Sequence, residues 1–203
     1  HSAGIAIAEL TSFAGLWRTR VKRPLSGFAH HMGFRIEPLK SIHKHIGTVP
    51  STYEGADAAI EAGVPLLVFP GGDYESLRPL WQVHRVNFNG RQGYLRIAQK
   101  HGLAIVPMGI RGSHFTAPIL WRSKLLANLL ITPRLIGTKR WGLSLLGILV
   151  AAALMLLPLP LWARAILAYL WLGSPLIFLP IFPARIRFRI GAPLEPYAAP
   201  GAD

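Results

Sequence analysis

The seven residues Phe69-Pro70-Gly71-Gly72-Asp73-Tyr74-Glu75 end an apolar run and break it sharply. Residues 64–69, rich in Leu and Val, read as a buried strand that stops on a Pro-Gly-Gly turn. Gly71 and Gly72 carry no side chains, so backbone N–H groups at the turn can approach a ligand. Asp73, Tyr74, Glu75 and Arg78 follow, which places ionisable groups at the same strand end, where the ligand sites of α/β sheets gather.

Downstream, residues 91–101 have the period of an amphipathic helix, with Tyr94, Ile97, Ala98 and His101 on one face and a stop at Gly102. Residues 104–109, Ala-Ile-Val-Pro-Met-Gly, then read as a second strand. Upstream, residues 46–50 read as a short strand, Ser51 or Thr52 as a cap, and residues 54–62 as a helix stopped by Gly63. Alternating helix and strand predict an α/β fold. A strand ending in Phe-Pro-Gly-Gly, then a helix, then Ile-Val-Pro, resembles the glycerolipid (lysophospholipid) acyltransferase superfamily. It looks most like the Phe-Pro-Gly-Gly subgroup, which includes diacylglycerol-acyltransferase-like members. The resemblance covers about residues 1–115, with a weaker echo at the C-terminal strand.

Composition narrows the partners. Of 203 residues, 51% are hydrophobic and only 15% charged, with a mean hydropathy of +0.36, more apolar than an ordinary soluble domain. That length suits one domain. The absence of Cys excludes disulfides, thiol chemistry and thiolate metal sites. A net charge of +13 calls for anionic partners; because the excess is diffuse, beside long apolar runs and without a nucleic-acid motif, an anionic membrane surface is expected and nucleic acid is not. No Asp or Glu occurs between Glu75 and Glu195, a stretch with fifteen Lys and Arg. A catalytic carboxylate must therefore come from Glu9, Glu37, Glu54, Asp57, Glu61, Asp73 or Glu75, unless it lies in the C-terminal tail.

The chain starts at His1 with no signal-peptide pattern, and reads as a trimmed product. Residues 5–17 predict a helix followed by the basic cluster Arg18, Arg20, Lys22 and Arg23, which fits a membrane surface or a solvated helix end equally. Further helices are expected near residues 27–34 and 39–45. From 141 to 184 the only charge is Arg164. The limb 143–157 would be about 22 Å long, short of a bilayer core of about 30 Å. The limb 165–183 is broken by Gly173, Ser174, Pro175 and Pro180. A re-entrant or surface-embedded hairpin is expected, ahead of a pair of apolar core helices. Lys139 and Arg140 before it, with Arg185, Arg187 and Arg189 after it, place both ends on the cytoplasmic side. Residues 184–191 alternate as a last strand with Ile186, Phe188 and Ile190 inward. The whole reads as one acyltransferase domain, residues 1–203, with a mixed central sheet flanked by helices and a hydrophobic hairpin at 141–184 inserted before the last strand.

The resemblance implies a His general base oriented by an acid, acting on a lipid acceptor and an acyl-CoA or acyl-carrier-protein thioester, with no bound cofactor or metal. It assigns the base to His1. The family places Asp five residues on, where this chain has Ala6; the next acid is Glu9. Eight residues along one helix separate two side chains by about 12 Å, so residues 2–5 must bend, which Gly4 permits. The family's Phe-Pro-Glu-Gly-Thr-Arg motif has Gly71 in place of its Glu and Tyr74 in place of its Arg. Substrate binding then falls to Phe69, Pro70, Gly71, Gly72, Glu75 and Arg78, and a neutral lipid hydroxyl is favoured. His30, His31, His43 and His45 lack a metal-site pattern, whereas His84 and His114 follow the motif strands as pocket residues. The rival readings are a non-catalytic lipid-binding scaffold on the same fold and a small integral membrane protein with two full spans.

Overall fold

The computed structural model describes residues 7–29, 41 and 47–195. His1, the residues 2–5 expected to bend, His30, His31, His43, His45 and most of the 39–45 segment lie outside them. In chain order the elements are α1 (Ile7–Arg20), β1 (Ser26–Ala29), β2 (Val49–Pro50), α2 (Tyr53–Glu61), β3 (Leu66–Leu67), α3 (Gly72–Ser76), α4 (Gly93–His101) and β4 (Met108–Arg111). After them come β5 (Ile119–Ser123), α5 (Lys124–Leu129), α6 (Ile131–Leu135), β6 (Trp141–Ser144), α7 (Leu145–Met155), α8 (Leu161–Gly173) and β7 (Arg187–Ile190). Contacts divide the chain into two compact units: residues 71–89 and 109–189 with those up to 11, and residues 12–70 and 90–108 with those from 190 on.

The second unit holds a parallel sheet ordered β2-β1-β3, with Phe28 opposite Val49 and Ser26 opposite Leu66. Residues 26–29 are thus a strand and not the start of the expected 27–34 helix, because parallel partners on both sides override a weak local pattern. Prolines keep this sheet small. Pro65 and Pro70 bracket a β3 of two residues, narrower than the 64–69 expected, and Pro50 ends β2; none can donate to a ladder. The α2 crossover starts on Thr52, whose Oγ1 accepts from the Gly55 N–H at 3.1 Å. In α4, Ala98 is buried and Tyr94, Ile97 and His101 are half-buried, as the period predicts, and Gly102 (φ 60°) is its left-handed cap. Asp57 of α2 joins the two helices: Lys100 Nζ donates to it at 2.7 Å and His101 Nε2 lies 2.6 Å away.

The first unit has the larger apolar core, Leu77, Ile119, Leu130, Trp141, Ile177 and Phe178, with Trp141 and Phe178 packed edge to face at 4.9 Å. β5 and β6 pair antiparallel across it, Ser123 opposite Trp141. β4 pairs with β7. The α/β class is as predicted, but among the described residues the strands form three small sheets and no single mixed central one. Ile186 and Phe188 are half-buried as the alternation predicts, whereas Ile190 is exposed, at the end of its strand.

The apolar limbs are shorter than the sequence suggested. Residues 141–144 join β6, Ser144 caps α7 by accepting from the Gly147 N–H at 2.9 Å, and Pro158 and Pro160 separate 11-residue α7 from 13-residue α8. The two helices pack on each other. Among the described residues no helix is long and apolar enough to cross a membrane, which overturns the reading with two full spans. Nor are they core helices: Leu149, Leu156, Trp162 and Leu170 are all more than half exposed.

Candidate functional site

Among the described residues the side chains costliest to bury lie in the first unit, where Glu9, Glu75, Arg78 and His114 are all buried. Glu75 sits on α3, directly after the Pro-Gly-Gly turn, and its side chain folds over Gly71. A Cβ at 71 would overlap the Cβ, Cγ and Cδ of Glu75. Gly71 is therefore required by space, its backbone being ordinary right-handed helix (φ −73°). Gly72 (φ 46°) is the residue of the turn that needs glycine's conformational freedom.

Arg78 organises the loop that follows. Its Nη2 donates to Glu75 Oε1, its Nη1 to the carbonyl of Arg85 and, at 3.4 Å, to that of Val83. Glu75 Oε1 also accepts from the Asn87 N–H at 2.9 Å. Burial lowers the Arg78 pKa and nearby Arg122 adds to this, while the Glu75 carboxylate opposes it. Tyr74, Arg78, Gln82, Arg85, Val86 and Asn87 line a cleft of about 400 Å³ beside this ion pair.

Tyr74 is covered by guanidinium groups from distant sequence. Arg122 lies 3.9 Å and Arg140 4.9 Å from its ring centroid. Arg122 Nη1 also donates to the Tyr74 carbonyl, and Arg140 Nη1 is 3.7 Å from the Asp73 carboxylate.

His114 stands in the helical turn Ser113–Phe115, entered through Gly112 (φ 99°). Burial pushes its imidazole down to about 4 and Arg78 acts in the same direction, while Glu9 opposes them. The ring is therefore neutral near pH 7. Its Nε2 and the Ser113 Oγ are buried without a hydrogen-bond partner, a rare condition for polar atoms in a protein interior.

Of the sequence-nominated residues, Gly71, Glu75 and Arg78 are in contact, and Glu9 is buried in the first turn of α1, where the helix dipole favours a carboxylate. Phe69 and Pro70 are half-buried after β3 in the second unit. His1 lies outside the described residues. His84 is exposed, so of the two pocket histidines only His114 is enclosed. Sequence reasoning missed Arg122 and Arg140, which reach Tyr74 only through the β5–β6 pairing. Among the described residues no group of three or more His, Asp or Glu is arranged to hold a metal. No protein-family model, curated protein or solved structure matches the chain.

Proposed function

We propose that this protein is an acyltransferase that moves a fatty acyl group from an acyl-CoA or acyl-carrier-protein thioester to the hydroxyl of a lipid at the cytoplasmic face of a membrane. One observation carries the reading. In a chain short of charge, Glu9, Glu75, Arg78 and a neutral His114 are buried in one unit, at and around the Phe-Pro-Gly-Gly loop, where burial is costly unless it serves a site. In the mechanism, His1 is the general base and Glu9 orients it. His1 takes the proton of the acceptor hydroxyl as its oxygen attacks the thioester carbonyl; the C–S bond then breaks, and the thiolate leaves with that proton. The loop from Pro70 to Arg78 holds the acceptor. Arg122 and Arg140 return positive charge to the place of the missing motif Arg, which supports a lysophospholipid acceptor beside a neutral glycerolipid.

The test is transfer of labelled acyl-CoA to a panel of lipid acceptors. His1→Ala in the intact protein should abolish transfer, and Glu9→Gln should reduce it by about 10²- to 10⁴-fold. Wild-type turnover in His1→Ala would refute the mechanism. A lipid-binding scaffold without chemistry is the second reading, favoured by the way Glu75 and Arg78 commit polar atoms to each other and to loop backbone. Lipid binding by the intact protein without transfer to any acceptor would select it.

A further inference from the structure

The α7–α8 pair is anchored at one end only. Near its base Trp141, Ser144, Gly147, Gly173 and Ile177 are buried, whereas every residue from 156 to 162, Leu-Leu-Pro-Leu-Pro-Leu-Trp, is exposed. Leu156 is 85%, Leu161 64% and Trp162 68% exposed, a contiguous apolar tip of a kind that marks an interaction surface.

We propose that this pair is a membrane anchor that enters a single leaflet of an anionic bilayer, tip deepest. Length fits one leaflet: the 11 residues of α7 span about 16 Å, against about 15 Å for half of a bilayer core. Three of the four polar side chains of the two helices, those of Arg164, Tyr169 and Trp171, bond to carbonyls of the same unit, as an apolar solvent requires, while Trp162 stands exposed at the tip. Trp171 Nε1 donates to the Gly147 carbonyl at 3.0 Å and Tyr169 Oη to that of Leu129 at 2.9 Å. Arg164, the one charge, donates from Nη1 to the Met155 carbonyl at 2.7 Å, the last residue of α7, where a cation complements the helix end.

Charge selects the partner. Exposed Lys139 precedes the pair and exposed Arg185, Arg187 and Arg189 follow it, in a stretch with no acid from residue 76 to 194. Such an acid-free basic flank matches anionic headgroups. A second copy docked on the same face would bring like charges together, and a protein partner would have to be both apolar and acidic.

Flotation of the intact protein with vesicles tests this without any acyl donor, so a failed acyltransferase assay leaves it standing. The protein should float with phosphatidylcholine–phosphatidylserine vesicles, more weakly with phosphatidylcholine alone, and less at high salt. The triple variant Leu156→Ser, Leu161→Ser, Trp162→Ser should lose about a hundredfold or more in partitioning while keeping its thermal unfolding curve. Arg185→Gln, Arg187→Gln and Arg189→Gln together should weaken binding to the anionic vesicles about tenfold or more, with little effect on phosphatidylcholine. The part of the fluorescence that Trp162→Phe removes, from one of six tryptophans, should be quenched by lipids brominated on their acyl chains. Unquenched Trp162, a triple variant that binds like the parent, or a vesicle-free dimer that this variant dissolves would each overturn the proposal.

Discussion

The loop from 71 to 89 and the helix pair from 145 to 173 belong to the same unit and reverse the usual rule in opposite directions. The loop buries charge: Glu75 and Arg78 are 1% and 5% exposed, where a water-soluble domain would keep them outside. The pair exposes Leu and Trp that such a domain would bury. Neither arrangement helps the fold in water. A buried ion pair is weak evidence for stability, since desolvating two charges offsets their attraction, and an apolar tip in water gains nothing. Both make sense if each region meets something other than water, a polar ligand in one case and hydrocarbon in the other.

That contrast breaks most easily at the ion pair. Arg78→Met leaves Glu75 buried beside the Asn87 N–H alone and should cost about 3–5 kcal/mol in urea unfolding, whereas Arg78→Met with Glu75→Gln should recover much of it. Next comes His114. Its folded pKa of about 4 is below the ordinary value of 6.5, so the unfolded chain binds the proton first on acidification. Its contribution is complete above pH 6.5 and lost as pH falls towards 4, up to roughly 3 kcal/mol, and His114→Gln should flatten that window of the stability profile. Ser144→Ala removes the cap of α7 and the donor to the Ile177 carbonyl, an expected loss of about 1–2 kcal/mol by thermal melting. Trp162→Ser should change stability in vesicle-free buffer by less than about 0.5 kcal/mol. A larger loss would mean that protein, and not lipid, covers the tip.

Local signals in the sequence located what depends on neighbours in the chain. Thr52 before α2, Gly102 after α4, and Gly173, Ser174 and Pro175 at the end of α8 all act where they stand. Pairings set from a distance were hidden. β1 takes its extended form from partners about twenty and forty residues downstream, at Val49 and Leu66. The expected limb 143–157 takes in half of β6, because nothing in Trp-Gly-Leu-Ser announces β5 opposite it, and with β6 goes the placement of Arg122 and Arg140 on Tyr74. For His114 a signal existed, a polar residue just beyond a motif strand and a glycine; its burial next to Arg78 had none.

Gly71 and Glu75 together leave the loop with a single carboxylate seat. Its occupant comes from residue 75, one helical turn beyond the glycine it covers, and the missing side chain at 71 is what makes room. A Glu placed at 71 would therefore meet an occupied seat. It would evict Glu75, break its ion pair with Arg78 and release the backbone N–H of residue 87, so residues 71, 75 and 78 can be exchanged only as a set.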